Sequence, residues 1–268
     1  MTDKIRLDAA VVAKGITDSR EKAKALIMTG NIFIGGERMD KPGAAVPAGS
    51  DIELRGGGLP YVSRGGLKLE KALKLYPIHL SGSVCMDIGA STGGFTDCML
   101  QNGAEKVYAV DVGYGQLAWT LRNDPRVINL ERTNIRYVTR EQVSDPLDFG
   151  SVDVSFISLT LVLPVLQSLL KPDGEGLCLV KPQFEAGKGK VGKKGVVRDI
   201  SVHLEVCRKI YDFLAERGMC LIGATFSPIK GPQGNIEYLY YFKNRAEPAR
   251  ISFAEIEEMV RCSHDTLD

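Results

Sequence analysis

No C-x-x-C pair occurs in the chain, and its six cysteines (positions 85, 98, 178, 207, 220 and 262) are far apart and set mostly in apolar segments. Such cysteines read as reduced core residues. That excludes a disulfide framework and a zinc site, leaves no metal to expect, and points to the cytoplasm. Long hydrophobic runs are missing too: the longest, LTLVLPVLQSLL, is too short for a bilayer and is broken by Pro164, while the N-terminus MTDKIRLDAA is charged from the start. Neither a membrane span nor a signal peptide is expected. There is no internal repeat or low-complexity tract. A net charge of +1 leaves no excess of either sign, so the distribution of charge carries the information. Residues 181 to 198 hold five lysines and one arginine against the single acid Glu185, and residues 64 to 74 hold one arginine and three lysines against Glu70. Two basic patches on a neutral protein suit a phosphate-bearing partner that touches one face. With 44% hydrophobic and 25% charged residues the composition is that of a folded protein, and 268 residues suggest one large domain and one small.

The first 60 residues differ from the rest. Arg6, Leu7 and Asp8 open a short helix, Ser19 caps a second (SREKAKALIMTG) that stops at Gly30, and NIFIGGERM reads as a hairpin turning at Gly35 and Gly36. A closing strand, SDIEL, follows the turn-rich KPGAAVPAG. This order of segments resembles the S-four RNA-binding domain of a small-subunit ribosomal protein, pseudouridine synthases and tyrosyl-tRNA synthetases. The resemblance implies that the second helix and the hairpin face structured RNA, with Arg6, Ser19, Arg20, Lys22 and Lys24 near phosphates, reading shape and backbone rather than bases. The glycine-rich RGGGLPYVSRGG then reads as a flexible linker reaching to about residue 66.

From residue 67 to 268 apolar strands and amphipathic helices alternate. Strands are expected at 84–89, 106–111, 127–131, 152–159, 176–182, 220–228 and 236–244, and helices at 94–102, near 115–121, at 160–170 and at 200–217. This is an α/β pattern, which folds as a doubly wound, mostly parallel sheet. The last two strands have no helix between them and are expected to pair antiparallel at one edge, an ending that suits class I methyltransferases better than dehydrogenases. Residues 245 to 268 read as a terminal helix.

Within VCMDIGASTGGFTD a buried strand gives way to a helix through a glycine turn. Glycine lets a ligand approach the backbone, and a helix start exposes unpaired amides, so this is a nucleotide-type pocket. The dinucleotide fingerprint G-x-G-x-x-G is absent, since Gly89 is followed by Ser91, Gly93 and Gly94, and nicotinamide binding is disfavoured. Asp87 ends the first strand of this pattern. Asp111 ends the second, about twenty residues after Gly89, a spacing that suits a carboxylate accepting from ribose hydroxyls. Asp153 falls in the fourth strand, Lys181 ends the fifth, Glu237 begins the last, and Lys68 precedes the sheet on SRGGLKLEKAL. A lysine ending the apolar run LCLVK is partly desolvated, which favours the neutral amine and lets it act as a base.

Lys68, Asp153, Lys181 and Glu237 resemble the Lys-Asp-Lys-Glu tetrad of FtsJ-like (RrmJ-like) RNA 2′-O-methyltransferases, and DIGASTGGFTD is similar to that family's DLGAAPGGWSQ. With the S-four segment, ERTNIR, DVSFISL, LVKPQFEAGK and GVVRD in order, the chain from about residue 5 to 244 resembles the TlyA family, rRNA 2′-O-methyltransferases acting on cytidines, some of which carry a haemolysin label. Ser91-Thr92 stands where FtsJ proteins have Ala-Pro, and DVSFIS lacks their proline after the acid. The resemblance implies S-adenosylmethionine as cofactor and rRNA or ribosomal subunits as partner. Asp87, Gly89, Ser91, Gly93, Gly94, Asp111, Asn134 and Asp153 would then contact the cofactor, with Asn134 toward the adenine. Lys181 would be the base, Lys68 and Glu237 would position it, and Asp153 would tune it. DNA lacks the acceptor hydroxyl and cannot serve. Lys188, Lys190, Lys193 and Lys194, on the glycine-rich QFEAGKGKVGKKGVVRD, are expected on a mobile segment that closes over RNA phosphates. The alternative readings are an assembly factor that binds RNA without turnover and a membrane-active haemolysin.

Overall fold

A computed structural model describes residues 4–28, 30–54, 59–192 and 194–267. Residues 55–58 of the expected linker, Lys193 and the Lys188 side chain lie outside that description. The chain divides into two compact units, Met1–Arg64 and Gly65–Asp268.

In the first unit, strand β1 (Lys4–Arg6) leads into helix α1 (Leu7–Ala13), followed by α2 (Arg20–Met28), β2 (Ile32–Ile34), β3 (Glu37–Met39), β4 (Ala45–Pro47) and β5 (Ile52–Leu54). The Ser19 hydroxyl accepts from the Lys22 amide at 3.3 Å and caps α2. Gly35 and Gly36 both have positive φ (58° and 86°), the backbone that a tight two-residue hairpin needs, and β2 and β3 pair antiparallel across them. A three-stranded sheet runs β3-β2-β5, while β4 pairs with β1. Leu7, Val11, Ala23, Ile27 and Ile32 form a core with no exposure.

The second unit begins with α3 (Gly66–Leu75) and continues as β6 (Val84–Ile88), α4 (Gly94–Gln101), β7 (Lys106–Val110), α5 (Trp119–Arg122), β8 (Val127–Leu130), β9 (Leu147–Val152), α6 (Leu159–Leu169), β10 (Leu170–Val180), α7 (Pro182–Glu185), α8 (Ile200–Glu216), β11 (Cys220–Phe226), β12 (Tyr238–Lys243) and α9 (Phe253–Leu267). One seven-stranded sheet has the order β11-β12-β10-β9-β6-β7-β8. It is parallel except for β12, which runs antiparallel to both β11 and β10. The final two strands therefore pair as expected, but β12 lies inside the sheet and β11 takes the edge. Tyr238, Leu239, Tyr240, Tyr241 and Phe242 are consequently buried without exception, because an interior strand is covered on both faces.

Three expectations from sequence shift. The strand expected at 152–159 is β9 at 147–152, and the register explains why: Val152 pairs with Ile88, the last residue of β6, so beyond it β9 has no parallel neighbour on that side. Phe156, at φ 64°, cannot continue a strand, and Ser158 caps α6, its hydroxyl accepting from the Thr160 amide. The helix expected near 115–121 is a single turn, α5, because the carboxylate of Glu131 accepts from the Gln116 and Leu117 amides and holds that stretch as a loop. Residues 245–252 precede the terminal helix, which begins only at Phe253.

Candidate active site

The chain runs outward from β6 through β7 to β8, then crosses back to β9 on the other side of β6. A doubly wound sheet opens a crevice at such a switch point, beyond the carboxyl ends of its strands. A cleft of about 720 Å³ lies there, lined by residues that follow β6 (Gly89, Ser91), β7 (Asp111, Val112), β8 (Asn134, Ile135) and β9 (Asp153, Phe156). Because β12 is antiparallel, Glu237, which precedes it, arrives at the same end as Lys181, which follows β10.

Gly89 sets the floor of the cleft. Its φ is 86°, and a Cβ there would sit 2.6 Å from the backbone oxygen of Asp153, so only glycine lets β6 and β9 approach this closely before they part. The Asp111 carboxylate accepts from the Ser91 amide (2.8 Å) and the Gly113 amide (2.7 Å), one on each oxygen, which ties two rim loops together and leaves further lone pairs on both oxygens. Asn134 lines the cleft, and its side-chain oxygen accepts from the Arg136 amide at 3.1 Å.

Asp87, Gly93 and Gly94 are not among the cleft-lining residues. The Asp87 carboxylate, 1% exposed, accepts from the Thr96 amide (2.9 Å) and hydroxyl (2.8 Å) on one oxygen and from the Ser151 hydroxyl (3.2 Å) on the other. Burial pushes its pKa up to about 6, against the pull of those donors. It anchors the first turn of α4 from below. Gly93 and Gly94 begin that helix, Gly93 against Leu117 and Leu121.

Lys68, Asp153, Lys181 and Glu237, separated by up to 169 residues, form one ion-paired chain. Lys181 Nζ lies 2.5 Å from Asp153 Oδ1, Lys68 Nζ lies 3.2 Å from Asp153 Oδ2, and the same Lys68 nitrogen lies 2.8 Å from Glu237 Oε2. All four are buried or nearly so, with Glu237 at 1% exposure. Two ammonium and two carboxylate groups cancel, which is what permits such burial. Burial works against the charged form of Lys68, but Asp153 and Glu237 outweigh it and the net shift is upward. Burial likewise opposes the Asp153 carboxylate, yet Lys68 and Lys181 hold it below the ordinary range. Glu237 acts on this chain through Lys68 and also accepts from Gln183 Nε2 at 3.2 Å. Lys181 additionally donates to Ser155 Oγ at 3.4 Å.

Two features of the site had no counterpart in the reading of the sequence. Phe156 is 91% exposed in spite of being a phenylalanine, takes a left-handed backbone, and rests on the Phe184 ring with centroids 4.9 Å apart. Glu185 is buried and accepts from the Ser158 hydroxyl (2.8 Å) and the Leu159 amide (2.6 Å) while pairing with Lys209 (2.6 Å), so it fastens the 153–158 loop to α7. Its place in LVKPQFEAGK was the available signal. Of the lysine-rich segment, Lys190 pairs with Glu205 and Lys194 is exposed. Asn235 accepts from the Val197 amide and donates to the Gly195 carbonyl, which holds the C-terminal end of the segment. In the N-terminal unit, Arg6 and Arg20 both pair with Asp8, Lys22 pairs with Asp18, and Lys24 is exposed. Among the described residues, no helix is long and apolar enough to cross a membrane and no group of three acidic, histidine or cysteine side chains is placed to hold a metal.

Residues 61–244 match the FtsJ-like methyltransferase family, and residues 5–52 match the S4 domain. A Mycobacterium tuberculosis protein named 16S/23S rRNA (cytidine-2′-O)-methyltransferase TlyA is 42% identical over 97% of each chain. Brachyspira hyodysenteriae Hemolysin A is 41% identical over 89% of this chain and 99% of its own. A solved Streptococcus thermophilus chain, provisionally described as a hemolysin, superposes with a TM-score of 0.78 at 44% identity, covering 99% of this chain and 97% of the other. The protein is a methyltransferase of the FtsJ-like class. Within that class it belongs to the TlyA family, in which an S4 domain precedes the catalytic unit.

Proposed function

We propose that the protein transfers a methyl group from S-adenosylmethionine to a ribose 2′-hydroxyl of rRNA, at a cytidine as its TlyA-named relatives do. The observation that carries this reading is the neutral chain Lys181–Asp153–Lys68–Glu237 at the edge of a glycine-floored cleft. The cleft fits the cofactor's parts: Asp111 retains acceptor capacity for ribose hydroxyls, Asn134 and Ile135 line the side suited to adenine, and Gly89 with Ser91 leaves room for the amino-acid end. When bound, the cofactor supplies an electrophilic methyl group on a sulfonium.

The chain's own residues then manage one proton. Lys181 first yields a proton to solvent, which leaves the chain one charge negative; as the 2′-oxygen forms its bond to carbon, its proton passes to that amine, and Asp153, 2.5 Å away, stabilises the ammonium that results. Lys68 keeps Asp153 ionised for that task, and Glu237 holds Lys68. Charge is thus stabilised more in the transition state than before it, which is the requirement for raising a rate. Phe156 offers an exposed ring at the mouth of the cleft against which a nucleobase can stack. Deoxyribose lacks the acceptor oxygen, so DNA is not a substrate. The test is incubation with methyl-labelled cofactor and separately purified ribosomal subunits, followed by mapping of alkali-resistant ribose linkages. The parent should produce them and Lys181→Ala should not, although it still binds cofactor. Near-parental turnover by Lys181→Ala would refute the role of that amine.

A further inference from the structure

Asp8 presents an unusual economy of charge. Its side chain has no exposure, yet it is shared by two guanidiniums whose side chains are each 54% exposed. Arg6 grips it with a fork, Nε to Oδ1 at 3.1 Å and Nη2 to Oδ2 at 3.0 Å, and Arg20 reaches both oxygens through Nη2 at 3.1 and 3.0 Å. The Asp8 amide donates to the Pro42 carbonyl, which locks the first turn of α1 where the carboxylate stands. One arginine would neutralise this carboxylate. The second leaves a surplus positive charge, while Nη1 of both arginines and Nε of Arg20 make no bond to Asp8. The buried carboxylate needs one cation to fold, and folding alone does not call for the second. Both arginines are well explained if the acid orients two planar donors toward an anion.

We propose that Asp8 is a positioning residue that holds Arg6 and Arg20 in fixed orientation for an RNA phosphodiester. The inference rests on the RNA reading above. An arginine free in solution must give up rotamer freedom when it binds a phosphate, whereas these two have given it up on folding. Asp8 touches no RNA in this scheme; it removes the ordering cost.

Charge counting and orientation predict opposite results for Asp8→Asn. The substitution makes the unit one charge more positive, so electrostatics alone predicts tighter RNA binding. Loss of orientation in two side chains predicts binding about tenfold weaker. The measurement is filter binding of the full chain to separately purified small and large ribosomal subunits, with turnover kinetics alongside: KM for the subunit should rise while kcat and the cofactor KM stay at the parental values. Arg6→Lys/Arg20→Lys keeps both charges without a fork and should lose a similar factor, and Asp8→Asn added to that pair should change nothing further. Parental or tighter binding by Asp8→Asn overturns the proposal, as does an equal loss when it is added to the lysine pair, since a merely structural aspartate would matter in both backgrounds. If Asp8→Asn does not fold, the lysine pair decides, and full affinity in it overturns the proposal. Unchanged binding by Arg6→Ala/Arg20→Ala would instead bring down the RNA reading of this face, and the inference with it.

Discussion

Replacing Lys68 by methionine isolates the electrostatics of the four-residue chain. The methionine stem fills much of the same space, so the change is chiefly the loss of an ammonium 2.8 Å from Glu237 and 3.2 Å from Asp153. Asp153 keeps Lys181, but Glu237 is left as a carboxylate at 1% exposure against the neutral amide of Gln183. Removing one partner from a buried pair costs about 3–5 kcal/mol, because the remaining charge is desolvated and uncompensated. For a unit of this size that lowers the Tm by roughly 10 °C. The Lys68 pKa is raised in the folded state, so its contribution to stability is complete below the amine's unfolded pKa of about 10.4 and fades only above it. The deficit should therefore be equal at neutral pH and at mildly alkaline pH. Adding Glu237→Gln removes the orphaned charge and should restore more than half of the lost stability. Turnover should stay depressed by about 100-fold or more in both variants, because Asp153 no longer has its second cation. Differential scanning fluorimetry and a methyl-transfer assay read the two effects separately. A melting point within about 2 °C of the parent for the single variant, or strictly additive losses in the double, would refute the reasoning.

Asp87 gives a pH test. Its pKa rises from 3.8 to about 6 on folding, so its contribution to stability is complete below pH 3.8 and is lost as pH rises through about 6, amounting to about 3 kcal/mol at most. Asp87→Asn keeps an oxygen for the Thr96 donors and removes that titration; its urea midpoint should exceed the parent's at neutral pH with cofactor affinity retained, and a lower midpoint there would contradict the assignment of Asp87 as a structural anchor. Phe156→Ala should raise the KM for RNA about tenfold through lost stacking while leaving the Tm unchanged or higher, since a strained, exposed residue contributes little to the fold. An unchanged KM would remove the stacking role.

Periodicity, glycine turns and helix caps were sufficient to read most of this protein in one dimension. The alternation of apolar strands with amphipathic helices determined a doubly wound sheet, because each pattern buries only in that arrangement, and the pair of helices with a two-glycine hairpin determined the small N-terminal unit. Lys68, Asp153, Lys181 and Glu237 were individually legible as polar residues at the ends of apolar segments. What the tertiary structure alone decided is how charges and strand ends meet. Val152 ends β9 because β6 ends at Ile88, a fact of register between segments more than sixty residues apart, and this is why Asp153 stands just past the strand end instead of within a strand. The antiparallel course of β12 brings Glu237 to the end where Lys181 emerges. The order of pairing within the tetrad, with Lys68 between two carboxylates, follows from that convergence and from no local pattern. Asp87 makes the same point in reverse: its position in a nucleotide-binding turn suggested a ligand contact, and its burial against Thr96 and Ser151 gave both of its oxygens to the fold. Local sequence specifies which groups are available, and only the packing of distant strands determines which of them remain unspent.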